Sequence, residues 1–253
     1  MKLTIPFVWL GLVVALLIII APTESQADYR FMTRVVAERS QAQGQQQTTI
    51  DTTVMWLGKS KARTDMDQST SFLVLADKNM MYTINHNQKQ YVEIPVGYLK
   101  DMLAAKEKED PEAAAQMRSM ISMMDMKITV TKTDETKKIK DWNCRKYTAE
   151  MKMSMGGSST EIWTTEDISV DHDLYATISN VMMAQLPGFK DALKEWKKIK
   201  GVTISSVTKA SAMGGTQKIT QDLLEFVEKD APAGTFDIPE GYKKTELTMP
   251  GMR

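Results

Sequence analysis

Between Thr48 and Pro95, short alternations of apolar and polar residues are cut again and again by turn residues, which leaves little room for anything but a meander of strands. Leu57-Gly58-Lys59, Asp67-Gln68-Ser69, Ala76-Asp77-Lys78-Asn79 and Asn85-His86-Asn87-Gln88 supply side chains that tolerate tight reversals. Ile50, Thr52, Val54 and Trp56 share one face of the first strand. Phe72, Val74 and Ala76 share a face of the third, and Met80, Tyr82 and Ile84 a face of the fourth. A period of two predicts an antiparallel sheet with one side buried and one side wet. Such a sheet must cover its apolar side, so the cover bears on function.

The same alternation recurs outside this stretch. Residues 28–40 read as a first strand, with Tyr29, Phe31, Val35 and Ala37 among polar neighbours. Trp142 to Met155 sets Tyr147, Ala149, Met151, Met153 and Met155 against Lys146, Thr148, Glu150 and Lys152. Gly156-Gly157-Ser158 turns it into a partner strand at Thr160–Thr165. Val202–Ala210 and Gln217–Glu228 predict a further hairpin. The Pro-limited segment Ala231–Tyr242 suits a sheet edge.

Two stretches switch to helical spacing. Gly97–Glu109 is rich in Ala, Lys and Glu. Asp110-Pro111-Glu112 reads as a helix start, with a capping acid and a proline at the first helical position. Met117, Met120, Ile121 and Met124 then form one apolar stripe. The second insert carries Leu174, Ile178, Val181 and Met182, a break at Pro187-Gly188, and then Phe189, Leu193 and Trp196. The fold expected is α+β: a curled antiparallel sheet of about eleven strands with two helical inserts. No linker divides the chain, so residues 28–253 are read as a single domain.

Residues 1–27 read as a signal peptide: Lys2, an apolar run of 15 residues from Phe7 to Ala21, Pro22, and small residues at Ser25-Gln26-Ala27. The run falls short of the ~20 residues of a spanning helix, so export to the periplasm is expected, with a retained anchor as the alternative. A single cysteine among 253 residues excludes an internal disulfide framework. Cys144 is read as a small buried hydrophobe, with a reactive thiol as the alternative its Arg145 and Lys146 neighbours allow. Lys plus Arg equals Asp plus Glu at 32 each, so no basic footprint points to nucleic acid.

The order of elements, with Trp56-Leu57-Gly58-Lys59-Ser60-Lys61-Ala62-Arg63, Lys89-Gln90-Tyr91-Val92-Glu93-Ile94-Pro95, Trp142-Asn143-Cys144-Arg145-Lys146-Tyr147 and the closing Phe236-Asp237-Ile238-Pro239-Glu240-Gly241-Tyr242, resembles the LolA/LolB-like lipoprotein-carrier superfamily, within a group of exported bacterial proteins. The resemblance implies a half-barrel, a strongly curved antiparallel sheet (incomplete β-barrel) with helical inserts covering the concave face. It also implies a periplasmic binding or carrier role for a hydrophobic ligand: an acyl chain, a lipid or a lipoprotein segment. An acylated protein partner and peripheral membrane contact are compatible with it.

The composition includes 20 methionines. Met117, Met120 and Met124 on a helix, with Tyr147, Met151, Met153, Met155 and Trp163 on a hairpin, are the candidate ligand-binding residues, because thioethers adapt to ligands of varied shape. The same stripes read equally as ordinary core. A copper-binding reading rests on soft thioether ligands, as in MKMSM and SMMDM, and finds no histidine or cysteine beside them. Trp56, Tyr82, Tyr91, Trp163 and Trp196 are expected as large anchors. His86 is read as an exposed turn residue and His172 as part of a helix-capping loop. Asp65 and Asp67 are read as solvated. No metal site, cofactor motif or nucleophile–base pairing stands out, so the chain is read as a non-enzyme. The alternative to a carrier is an envelope structural or interaction module with a filled core.

Overall fold

The computed structural model describes residues 28–40, 46–123, 127–153, 156–168, 170, 189–212 and 215–247. The proposed signal peptide, His172 and the first half of the second insert lie outside these residues, as do Met124 and Met155.

The chain opens with six strands: β1 (Tyr29–Ser40), β2 (Gln46–Gly58), β3 (Lys61–Asp65), β4 (Thr70–Leu75), β5 (Met80–Asn85) and β6 (Gln90–Pro95). Helices α1 (Tyr98–Glu109) and α2 (Pro111–Met123) follow, then β7 (Lys127–Ile139), β8 (Trp142–Met153) and β9 (Gly156–Thr165). Helix α3 (Phe189–Trp196) leads to β10 (Val202–Ala212), β11 (Gly215–Glu228) and the short β12 (Lys243–Thr245). All 12 strands join one open, curved sheet in the order β12-β6-β5-β4-β3-β2-β1-β11-β10-β9-β8-β7. The first strand therefore lies near the middle, and two meanders leave it in opposite directions. Neighbours run antiparallel except β12, which pairs in parallel with β6. The strand count exceeds the expected eleven by this closing piece. It shifts the predicted edge segment from Ala231–Tyr242 to Lys243–Thr245.

The predicted turns have local causes. Asp67 Oδ1 accepts the amides of Ser69 and Thr70 at 2.7 and 2.8 Å, and Asn85 Oδ1 that of Gln88 at 2.9 Å. Ser60, Asn79, Lys89 and Lys140 take left-handed φ values at four of the reversals. Before β10, Gly201 has φ +81°, and a Cβ there would lie 2.1 Å from the Thr165 carbonyl oxygen, so the close approach of β9 and β10 admits only glycine.

Two apolar clusters hold the sheet. Phe31, Leu57, Ala62 and Val74 from β1–β4 join Cys144, Ile168, Ile204 and Leu223, with Met55, Trp163 and Phe226 packed around them. Ile128, Val130, Tyr147, Ala149 and Ile162 form the second cluster with Ala192 of α3. On β2 the buried apolar face is that of Met55 and Leu57, not the predicted Ile50-to-Trp56 face, where Ile50 is 68% exposed. Trp56 is buried separately, with the cations of Arg30 and Lys229 near its ring.

The expectation of one wet face fails on β4. Val74 faces the first cluster, while Ser71 and Leu73 on the other face are also fully buried, as is Ile84 across from Ser71. Residues 231–242 lie over this second face. Lys61 sits 4.3 Å from the Phe236 ring, Arg63 Nη1 donates to the Thr235 carbonyl, and His86 meets Tyr242.

The helices cover the sheet more sparsely than two roofing inserts would. Helices α1 and α2 pack on one another, with the Asp110 carboxylate capping the Ala113 amide at 3.0 Å as the Asp-Pro-Glu sequence predicts. Helix α3 lies on β7, where Glu195 Oε2 accepts the Val130 amide at 2.8 Å. That bond also satisfies a donor on β7, which among the described residues no further strand pairs.

Candidate functional site

A hollow of about 690 Å³ lies where six strands end side by side, β8-β9-β10-β11-β1-β2. Directly paired residues share a face, so the register builds its floor as two transverse rows. One row runs Lys152, Gly157, Ser211, Thr216, Ser40 and Gln46. The next runs Glu150, Ser159, Lys209, Lys218, Glu38 and Thr48. All twelve line the hollow, and the row between them, which includes Arg39, Met151 and Ala210, borders it while its side chains alternate to the opposite face. At ~4.8 Å between strands, six strands make a floor about 24 Å across.

The chemistry of this floor follows from its residue types. Gly157, Ser159, Ser211, Thr216 and Ser40 are small, so the sheet surface is open and bears hydroxyl groups. Lysine stems supply apolar area between the charges. Lys152, Lys209 and Lys218 share this face with two carboxylates, Glu38 and Glu150. The one ion pair among these groups joins Lys218 to Glu38 at 3.1 Å.

The residues expected to bind ligand are dispersed. Met117 is buried in α2, and the side chain of Met120 lies outside what the structure describes, as do Met124 and Met155. Tyr147 is 1% exposed within the second apolar cluster. Met151 packs against that cluster and borders the hollow from the opposite face of β8, whereas Met153 is 41% exposed. Trp163 packs on the first cluster, with Lys137 Nζ 3.9 Å from its ring centre. Lys146, next to it, bridges Glu135 and Glu161 at 3.1 and 3.2 Å. Of the five whose side chains are described, only Met151 borders the hollow. The charged floor went unread because Lys209, Lys218 and Glu38 become neighbours only through pairing of β10, β11 and β1. Its one local sign is the loss of apolar alternation at the ends of those strands.

A second polar constellation was read differently from sequence. His86, expected as an exposed spacer, has Nε2 2.6 Å from Ser71 Oγ and Nδ1 2.8 Å from the Tyr242 hydroxyl. Asp65, expected to be solvated, accepts from Ser71 Oγ at 2.5 Å and from Arg63 Nε at 2.7 Å. The set resembles a nucleophile–base pair, yet Ser71 is 0% exposed and its hydroxyl proton is directed at Asp65. The arrangement ties strands to the C-terminal segment. A smaller hollow of about 460 Å³ borders Lys137, Lys138, Arg145, Glu166 and Asp167 near Cys144. Burial pushes the Cys144 thiol pKa up, which disfavours the reactive thiolate. Among the described residues, no three His, Cys, Asp or Glu side chains gather closely enough to hold a metal ion.

No curated protein matches the chain. Among solved structures, PNGF-II is similar at 12% identity and a TM-score of 0.38 over 87% of this chain. This chain spans only 32% of the length of PNGF-II. A LolA-superfamily protein from Nitrosomonas europaea is similar at 6% identity and a TM-score of 0.29, over 84% of this chain and 90% of the other. The family model described as "Domain of unknown function (DUF4412)" matches residues 35–242, most of the sequence, and the chain belongs to that family.

Proposed function

We propose that the protein is an exported, non-catalytic binding module that seats an elongated amphipathic ligand in the six-strand hollow. The observation that carries this reading is the hollow itself: about 690 Å³ over a floor of small hydroxyl residues, with lysine stems as its apolar surface. Binding would be driven by desolvation of the ligand's apolar part, at ~25 cal/mol per Å² removed from water. Polar floor groups would orient the rest. Export rests on the signal-like residues 1–27. Carriage of an acyl chain or an acylated protein segment is the specific form of this reading, with periplasmic delivery as its setting.

A filled structural or interaction module is the second reading. It is favoured by the complete burial of Tyr147, Leu57 and Ile204, which leaves the described interior packed. Two measurements separate the readings. The first is extraction of the gently purified protein with organic solvent followed by mass spectrometry. The second is binding of N-phenylnaphthylamine to the natural protein and to Ser211→Trp, which fills the floor. The binding module predicts a co-purified amphiphile and dye binding lost in Ser211→Trp. A clean extract with dye binding absent, or equal in both proteins, sinks it.

A further inference from the structure

Lys209 of β10 and Lys218 of β11 stand directly opposite each other in the register, on the face that forms the hollow. Like charges in that relation destabilise a strand pair. The next strand answers only one of them: Glu38, opposite Lys218, meets its ammonium at 3.1 Å. Lys209 is exposed and has no carboxylate partner among the described residues, and Ser159 rather than an acid lies opposite it on β9. Lys152 adds a third cation to this face, against Glu150 alone. The whole chain balances at 32 basic and 32 acidic residues, so this excess is a local property of the hollow.

Resting on the binding reading above, we propose that Lys209, with Lys218 beside it, is the seat for a single anionic group of the ligand, a carboxylate or a phosphate. An ammonium offers three donors around a compact charge, and the hydroxyls of Ser159, Ser211 and Thr216 surround it on the floor. An anion there would relieve the repulsion between the two lysines, a relief that no neutral ligand supplies.

The test uses the full chain and displacement of bound N-phenylnaphthylamine by three probes: decanoate, its methyl ester, and inorganic phosphate. The anion seat predicts that decanoate displaces the dye at least tenfold more strongly than the ester. It also predicts that decanoate binding weakens with added salt, and tenfold in Lys209→Gln, while the ester is unchanged. Competition by phosphate supports a seat that takes a free anion. Phosphate without effect, with decanoate active, supports an anion delivered on a chain. Lys209→Glu carries a second signature: it replaces the like-charge opposition with an attractive pair, so Tm rises while decanoate binding is lost. Equal displacement by decanoate and ester overturns the anion seat and leaves the binding module standing. Failure of the dye and all three probes to bind removes both.

Discussion

His86 Nε2 lies 2.6 Å from the Oγ of Ser71, a hydroxyl with no exposure to solvent. The proton roles follow from counting donors. Ser71 has one proton, and Asp65 Oδ1 at 2.5 Å takes it. Arg63 Nη2 and His86 Nε2 then donate to Ser71, and His86 Nδ1 lies 2.8 Å from the Tyr242 hydroxyl.

Loss of the hub should therefore be costly. Ser71→Ala strands Arg63, Asp65 and His86 together, and about 1–3 kcal/mol of stability should disappear. Tyr242→Phe removes one peripheral bond and should cost only about 0.5–1.5 kcal/mol. It should also raise hydrogen exchange in residues 231–242. Urea unfolding midpoints decide this: a Ser71→Ala protein as stable as the natural one would mean that the network contributes nothing.

Acid should loosen α3 from the sheet. The Lys198 ammonium, and then the Val130 amide, hold the Glu195 carboxyl below the ordinary glutamate range. Because the folded value lies below the unfolded one, the contribution is present above the unfolded value and is lost as pH falls through the folded one. The protection factor of the Val130 amide should drop between about pH 6 and about pH 3. In Glu195→Gln the amide oxygen still accepts, so the pH dependence should vanish. Protection that stays level on acidification in the natural protein would contradict the clasp.

Cys144 should behave as core. It is 2% exposed, its thiol is pushed up by burial, and its Sγ points to the Trp142 carbonyl at 3.6 Å. Labelling by an aromatic disulfide reagent should be slower in the native protein than in urea by on the order of tenfold or more. Rapid native labelling would return the reactive-thiol reading that Arg145 and Lys146 suggested.

Much of the molecule is legible residue by residue. The turns at Asp67 and Asn85, the cap at Asp110 and the helical pair at 98–123 fall where the sequence places them. Each depends on groups within a few residues. The β8–β9 hairpin, by contrast, forms with Gly156, Gly157 and Ser158 inside β9 instead of at its turn. The strand β7 runs on through Thr131–Ile139, where apolar alternation stops. Those residues belong to it because β8 pairs with them, so their local pattern was a poor guide.

Local chemistry thus determined where this chain extends, turns and coils, since φ preferences, caps and side-chain periods act over one or two turns of backbone. Only the tertiary structure decided which face each strand buries. It did so by laying residues 231–242 over β3–β5 and closing β1 against β11. The same pairing set Lys218 beside Glu38, 180 positions away in sequence. Neighbours that far apart are chosen by strand order and register, which depend on how the whole sheet packs.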